Sequence, residues 1–536
     1  MTFSQAGSAG GRAPSYWGVL IICAVAQFMV VLDVSIVNVA LPQMRDALGL
    51  TITSQQWVVN AYTLTFAGFL MLGGRAADLF GRRRVFLTGL VLFTAASLLG
   101  GLAQGGTWLI AARAAQGLGG AVLAPTSLSL LTSTFTDPNQ RRRAMGAWSA
   151  TAASGAAAGV LAGGVLTDLL DWRWVLFVNV PIGLGLLAVA PRVLTESRGQ
   201  GPRARLDVAG AFAITAGLAV FVYGIVSTDT HAWSSPQTVA PLAAGVALLL
   251  AALLIEGKLA PSPLVPLTIF RRRSLVAANG IAMIIGAALF GMYFFISLYL
   301  QQAAGYSPLR TGLAILPAGT MTLIGSLAAS RLVTRIGARW QLVLGPVLSA
   351  AGLLWMSLLS FGDGYWEHMF LPLALFGLGI GTTFTPMTLT ATAGVARAEA
   401  GLASGLVNTA RQVGGAVGLA VLATLASGVT RDSAALGHAA AVALTAGYDR
   451  AFLVAGLLLL AAGALALLIR SQAQPGPAPA AGETPARAVG ETPAPASGET
   501  PARAVGETPT PAAGQTTASG STPAAAEAAR LVADRP

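Results

Sequence analysis

The chain has one cysteine, one lysine and three histidines among 536 residues, and charged side chains make up only 10% of it. Each scarcity removes a class of function. A lone Cys23 can form neither an internal disulfide nor a thiolate cluster. No G-x-x-x-x-G-K-[ST] run surrounds the single Lys258, so ATP is not the fuel. His231, His368 and His438 fall between apolar runs and offer neither a buried relay nor a metal site. No nucleophile, base and oxyanion donor are grouped, so an enzyme reading finds no support and no cofactor is expected. The formal charge of +11 would suit nucleic acid only as a basic face on a soluble domain, whereas these arginines sit between apolar runs. No nucleic-acid partner is expected either.

What is present is apolar surface. With 54% hydrophobic residues the chain cannot wrap one soluble core in a water-compatible surface, and it needs lipid as its solvent. Runs of roughly 20 apolar residues recur, each long enough for a helix to cross about 30 Å of hydrocarbon. They are apolar all round and rich in Leu, Ala and Gly rather than alternating, so they predict helices and not barrel strands. The fold class is all-α and polytopic. Fourteen spans are expected, at about 17–39, 55–73, 85–104, 107–131, 144–166, 174–194, 207–227, 238–256, 275–300, 311–333, 341–360, 369–391, 403–426 and 451–470. The first follows a polar start with one Arg12, carries Asp33 and lacks a small-residue cleavage site, so it reads as a retained span.

The basic residues orient these spans. With the N-terminus inside, inner loops and flanks hold 21 Lys and Arg residues and outer loops hold 5. Both termini are therefore expected in the cytoplasm of a protein of the cytoplasmic (inner) membrane. The halves echo each other. Gly117-Leu118-Gly119 and Pro125 in the fourth span have a counterpart in Gly377-Leu378-Gly379 and Pro386 of the twelfth, and 74–84 has a degraded one at 331–339. The expected organisation is a cytoplasmic N-terminus (1–16), a six-helix bundle (17–194), a linker with two extra spans (195–274), a second six-helix bundle (275–470) and a tail (471–536). GETPARAV at 482–489 returns at 498–505 in a tail dominated by Ala, Pro, Gly and Thr, a composition with no apolar period to bury.

Four local patterns resemble the fourteen-span drug:proton antiporters of the major facilitator superfamily, over about residues 15–470. LDVSIVNVALP (32–42) looks like that branch's first-helix signature. Gly74-Arg75-Ala76-Ala77-Asp78-Leu79-Phe80-Gly81-Arg82-Arg83-Arg84 resembles the superfamily's loop motif between spans two and three. Arg113 to Gly119 (RAAQGLG) resembles the fourth-span motif, and Gly146, Gly155, Gly159, Gly163 and Gly164 reproduce the glycine spacing of the antiporter motif. Val160 stands where the family usually has Pro. The resemblance implies proton-driven export of small hydrophobic or amphipathic molecules, such as antibiotics or secreted metabolites, by alternating access. The partners implied are lipid, substrate and protons, the proton gradient supplies the energy, and a monomer is expected. A proton-coupled importer and a non-transporting sensor on the same scaffold are the rival readings.

The residues make physical sense on their own. Asp33 is the only carboxylate deep inside an expected span, where a charge is costly enough to imply a function. At 1.5 Å per residue it lies about 24 Å up the first helix, and Arg113 about 21 Å up the fourth. Charges of opposite sign at one depth make a proton-coupling constellation. Gly74 and Gly81 permit tight turning, while Asp78 and Arg82 can latch a gate. Gly155, Gly159 and Gly163, four apart on one face, let another helix pack closely and slide. Arg411, with Asn408 one turn before it, should face a cavity or an adjoining helix. Asn38, Trp57, Asn60, Tyr62, Gln116, Tyr293 and Phe294, with Tyr299, are candidate cavity walls.

Overall fold

The structure, a computed structural model, describes residues 16–198, 206–259, 265–395 and 399–469. The N-terminal segment 1–15 and the repeat-bearing tail 471–536 lie outside the described residues, as do Arg203, Arg205 and Arg397. Every regular element among the described residues is helical: α1 (Tyr16–Leu48), α2 (Ile52–Phe80), α3 (Arg82–Gly101), α4 (Gly106–Thr134), α5 (Pro138–Leu169), the short α6 (Trp174–Phe177), α7 (Asn179–Val193), α8 (Val208–Ser227), α9 (Pro236–Leu254), α10 (Arg273–Leu298), α11 (Pro308–Met356), the short α12 (Tyr365–His368), α13 (Phe370–Thr392), α14 (Ala400–Ala435) and α15 (Ala440–Leu467). Thirteen helical stretches among the described residues are long and apolar enough to cross a membrane. Polar caps start several of them. Thr51 accepts from the Ser54 amide, Asp137 from Asn139 and Gln140, Asp207 from Gly210 and Ser307 from Arg310, with Pro138 and Pro308 at first helical positions.

The thirteenfold count conceals one bend. α11 has 49 residues, or about 74 Å at helical rise, more than twice a hydrocarbon core. Gly337 breaks it, with φ 81° and ψ 156°, a conformation that only glycine adopts without strain. Two arms result, 308–336 and 338–356, at the place where two separate spans were expected. The last helix departs from expectation at its start. It begins at Ala440 and not at 451, because an alanine-rich segment continues the helix across the charged pair Asp449 and Arg450. Asp449 therefore lies about 14 Å into α15, so Asp33 is not the only carboxylate well inside a long helix. Its Oδ1 is buried without a hydrogen-bond partner.

The echo between halves is a repeat of geometry. Gly81, with φ 107° and ψ 130°, separates α2 from α3 as Gly337 separates the arms of α11. Two residues beyond each glycine an arginine closes the end of a distant helix: Arg83 Nη2 donates to the Pro191 carbonyl of α7 (2.7 Å) and Arg339 Nη2 to the Leu467 carbonyl of α15 (2.7 Å). The Gly-Leu-Gly motifs correspond as well. Gly117 lies against the Tyr62 carbonyl in α2 and Gly119 against Phe93 in α3, while Gly377 lies against Ala318 in the first arm of α11 and Gly379 against Gly345 and Ser349 in the second.

The extra pair, α8 and α9, does more than link. Leu218 and Val222 of α8 pack with Leu64 of α2 and with Ala416 and Ala420 of α14, so α8 bridges both halves. Arg431 Nη1 of α14 holds Asp229 just beyond the end of α8. If the Gly337 backbone sets the bend in α11, Gly337→Ala will lower the thermal-unfolding midpoint of purified protein, reflecting strain of about 1–3 kcal/mol. Gly146→Ala, at an open position within α5, will leave or raise it. Equal midpoints in nanodisc-reconstituted samples would place the cause of the bend elsewhere.

Candidate functional site

Five helices converge on one carboxylate. Asp33 of α1 has no exposed surface, and three donors hold it: Arg113 Nη1 of α4 at 2.6 Å on Oδ2, with Gln116 Nε2 of α4 at 3.0 Å and Asn179 Nδ2 of α7 at 2.9 Å on Oδ1. Arg113 is only 2% exposed. Its Nε donates to the Val58 carbonyl of α2 (3.1 Å), its Nη1 also reaches Gln116 Oε1 (2.9 Å), and its guanidinium lies over the Tyr62 ring with Cζ 4.5 Å from the centroid. Gln116 Nε2 continues to Ser97 Oγ of α3 (2.7 Å). The two charges placed at equal depth by helical rise thus meet in a buried, hydrogen-bonded pair. Charges survive at such a place only when paired in this way.

Local sequence explains the convergence. Gly117 lets α4 press against α2 at Tyr62, which brings Arg113 within reach of Val58. Pro181 has no amide hydrogen to give the carbonyl four residues earlier, Phe177. The backbone nevertheless stays helical through Val178 (φ −59°, ψ −28°), so Trp174–Val193 runs as one span, and Asn179 within it reaches Asp33. Neither Asn179 nor Ser97 was singled out by sequence reasoning. The signal available was an amide two residues before a proline in an otherwise apolar run.

For orientation, the near face is the end where α1 starts and the far face the end where it finishes. At the near face Arg82 Nη2 pairs with Asp78 Oδ1 (3.0 Å), so Asp78 meets the neighbouring arginine of its own motif. Glu196, unremarked in the sequence, caps α3: Oε1 accepts from the Arg83 amide (3.1 Å) and Oε2 from the Arg84 amide (3.3 Å). The Ser197 carbonyl accepts from the Arg82 amide (2.9 Å). Gly74 faces Pro125 of α4 with room to spare, and Gly81 makes the turn.

The glycine series divides by contact. Gly155, Gly159 and Gly163 seat α5 on α1, against Phe28, Ser35 with Leu32, and Ile36 respectively. Ser35 Oγ crosses to the Gly155 carbonyl (3.3 Å). Gly164 instead meets Pro308 of α11, and the Val160 carbonyl meets Gly312. Where the family pattern has Pro, the Val160 backbone therefore forms a contact between halves. Gly146 is exposed and touches nothing, so it takes no part in this packing. Further bridges between halves lie toward the far face, where Ser297 Oγ donates to the Asn38 carbonyl (2.9 Å) and Gln301 Nε2 to the Val39 carbonyl (2.9 Å).

The candidate cavity residues scatter. Tyr62 and Gln116 belong to the Asp33 network. Asn38 turns its amide back to Val34 of its own helix (3.0 Å). Trp57 packs with the cluster of α8 and α14. Phe294 and Tyr299 are buried in the main core, Phe294 edge-on to Phe295, and Tyr293 packs against that core. Asn60 is fully buried, and neither of its amide atoms has a hydrogen-bond partner. Arg411 is half-buried, bonds Asn408 Oδ1 (2.6 Å), faces the Phe384 ring, and has no carboxylate within 4 Å among the described residues.

Residues 23–419 match the Major Facilitator Superfamily. The chain is 44% identical over 418 residues to a cephamycin export protein of Amycolatopsis lactamdurans, covering 78% of this chain and 86% of that one. It is 42% identical over 426 residues to a puromycin resistance protein of Streptomyces alboniger, covering 78% and 84%. A tetracenomycin C resistance and export protein of Streptomyces glaucescens is 33% identical, covering 78% and 77%. Among solved structures, an auto-inhibited peptide transporter of the POT family is similar with a TM-score of 0.62 at 16% identity, covering 86% of this chain and 99% of that one. A bacterial homologue of the human lysosomal transporter Spinster, inward-facing and unoccupied, scores 0.60 at 16% identity, with 86% and 97% covered. These two likenesses concern the fold.

The pair has a measurable signature independent of any transport. Arg113→Leu strands a buried carboxylate and will cost about 3–5 kcal/mol of stability. Adding Asp33→Asn to that variant will recover part of the loss, since no uncompensated charge remains. Thermal denaturation of the single and double variants checks this. A double variant less stable than Arg113→Leu would contradict it.

Proposed function

Because this chain belongs to the Major Facilitator Superfamily, we propose that it is a proton-driven exporter of small apolar or amphipathic molecules, antibiotics among them, working by alternating access. It is a multi-pass membrane transporter and not an enzyme. The relatives named for antibiotic export and resistance support the direction and the substrate class. The observation that carries the mechanism is the fully buried Asp33, held by Arg113, Gln116 and Asn179.

Arg113 cannot lose its proton in a protein, so Asp33 is the member of the pair that can change charge. A proton on Asp33 cancels one charge of the pair, weakens the hold of α1 on α4, and lowers the cost of the carboxyl group in a dry interior. Loss of the proton restores the pair. Whichever open state prefers one of these forms is favoured by that form, which couples proton flow to the rocking of the halves. Substrate and proton then cross in exchange, and the gradient supplies the energy with no cofactor.

The architecture in this reading has fourteen crossings, with two six-helix halves at 17–194 and 275–470 flanking the extra pair within 195–274. Both termini lie in the cytoplasm, the near face is cytoplasmic, and the protein sits as a monomer in the inner membrane. The bridges between halves near Asn38, Val39 and Gly164 then close the outer side, an inward-facing form. Gly74, Asp78, Gly81 and Arg82 form the inner gate, whose Asp78–Arg82 pair is free to re-partner when the inner side closes. Gly155, Gly159 and Gly163 let α5 slide on α1. Asn60, Asn408 and Arg411 supply polar groups toward substrate, and Arg411, with no acidic partner among the described residues, suits an acceptor or anionic group on it.

Asp33→Asn will insert and fold but lose proton-driven efflux. Everted membrane vesicles energised by an imposed pH gradient provide the measurement, with puromycin and a cephamycin as trial substrates. Undiminished gradient-driven uptake by vesicles carrying the variant would refute the assignment.

A further inference from the structure

All three groups bonded to Asp33 are donors: Arg113 Nη1, Gln116 Nε2 and Asn179 Nδ2. That set suits a carboxylate. A carboxylic acid in the same place has an O–H of its own, which needs an acceptor because the residue has no surface open to solvent. Arg113 has no acceptor to give. Gln116 is fixed at both ends of its amide, with Oε1 taking the Arg113 Nη1 hydrogen and Nε2 reaching Ser97 Oγ, so turning it would set its NH2 against the guanidinium. The Ser97 hydroxyl spends its own proton on the Phe93 carbonyl. Tyr62, the other titratable group facing the pair, offers its ring to Arg113, and its hydroxyl makes no hydrogen bond. One acceptor is idle on a side chain already in contact with Asp33: Asn179 Oδ1, buried and unpartnered.

We propose that Asn179 is a positioning residue for proton coupling, whose side-chain amide turns over with the charge of Asp33. It donates through Nδ2 to the carboxylate and accepts through Oδ1 from the carboxylic acid. The exchange moves no covalent bond in Asn179. The proton arriving on Asp33 Oδ1 forms the O–H, that O–H donates to Asn179 Oδ1, and Oδ2 keeps its bond from Arg113. A half-turn of the planar amide exchanges two groups of nearly equal size, so the packed interior need not open. The inference rests on the reading of Asp33 as the proton carrier.

Infrared difference spectra of the full-length protein in lipid nanodiscs, taken between acidic and alkaline buffer, test it. A carboxylic-acid carbonyl band that disappears in Asp33→Asn belongs to Asp33. In Asn179→Leu that band will move to higher frequency, because the neutral acid has lost its acceptor. In protein labelled with carbon-13 at the asparagine side-chain carbonyl, one labelled amide band will move to lower frequency on acidification, and this change will be missing in Asp33→Asn. The labelled measurement needs no substitution at Asn179 and so remains available if the leucine variant does not fold. An Asp33 band that keeps its frequency in Asn179→Leu, or a labelled amide band indifferent to acidification, overturns the inference and leaves the proton-carrier reading standing. Absence of any Asp33 acid band across the pH range in which transport runs overturns both.

Discussion

The buried pair of Asp33 and Arg113 sets the terms for the first half of the molecule. Each ion gives up solvation worth several kcal/mol on entering a dry interior, and attraction within the pair offsets this only if the remaining polar atoms are also satisfied. The surrounding helices supply that satisfaction. α2 contributes a backbone carbonyl and an aromatic face, α3 a hydroxyl, α4 a glutamine and α7 an asparagine. None of these groups reaches unless the helices approach closely, and Gly117 of α4 stands where any side chain would collide with Tyr62 and Thr65 of α2. Close packing here is a consequence of electrostatics as much as of dispersion.

Set beside this, the second half repeats the frame and omits the charge pair. Gly337 and Arg339 reproduce Gly81 and Arg83, and Gly377 and Gly379 reproduce Gly117 and Gly119. Yet Arg411 finds an amide and an aromatic ring, with no carboxylate beside it among the described residues. Duplication explains the shared turns and helix contacts, because those depend on backbone. Side-chain chemistry is free to diverge, since those backbone contacts do not depend on it. Among the described residues, one half thus holds an arginine beside a carboxylate and the other holds one beside an amide and a ring, within a repeated scaffold.

Legibility followed the range of the forces involved. Spans, the positive bias of one face and the Asp33–Arg113 encounter depend on local composition and a constant rise per residue, so they could be read directly from 32–42 and 113–119. Contacts that depend on where a distant helix ends could not. Glu196 reads as one more loop acid until α3 is seen to start beside it, and Asn179 reads as one more residue of the expected span 174–194 until the packing of that helix sets it beside Asp33. The start of α15 was misplaced for a different reason. Asp449 and Arg450 depress hydropathy without disturbing helix propensity in their alanine-rich setting, so an apolar window stops where the backbone continues. Val160 shows the converse, since the position is a departure in side-chain type while its backbone carbonyl meets Gly312.

α7 connects the Asp33 network to the near-face motif. Asn179 at its first turn holds Asp33, and at its last turn the Pro191 carbonyl holds Arg83, with Glu196 and Ser197 just beyond on the amides of Arg82 to Arg84. The helix between is about 21 Å long and is packed on α3 where Gly183 meets Thr94. A helix resists compression, so a change in how Asn179 sits against Asp33 has two outlets: rotation of the amide alone, or a small shift of the whole rod. The first confines the change to the surroundings of Asp33. The second would carry it to the loop that bears Asp78 and Arg82. Because α3 is gripped by α7 at both levels, through Thr94 and through its capped N-terminus, a shift of the rod would have to take α3 with it. Under the proposed coupling the rotating amide is therefore the less costly response, and it leaves the Asp78–Arg82 pair undisturbed.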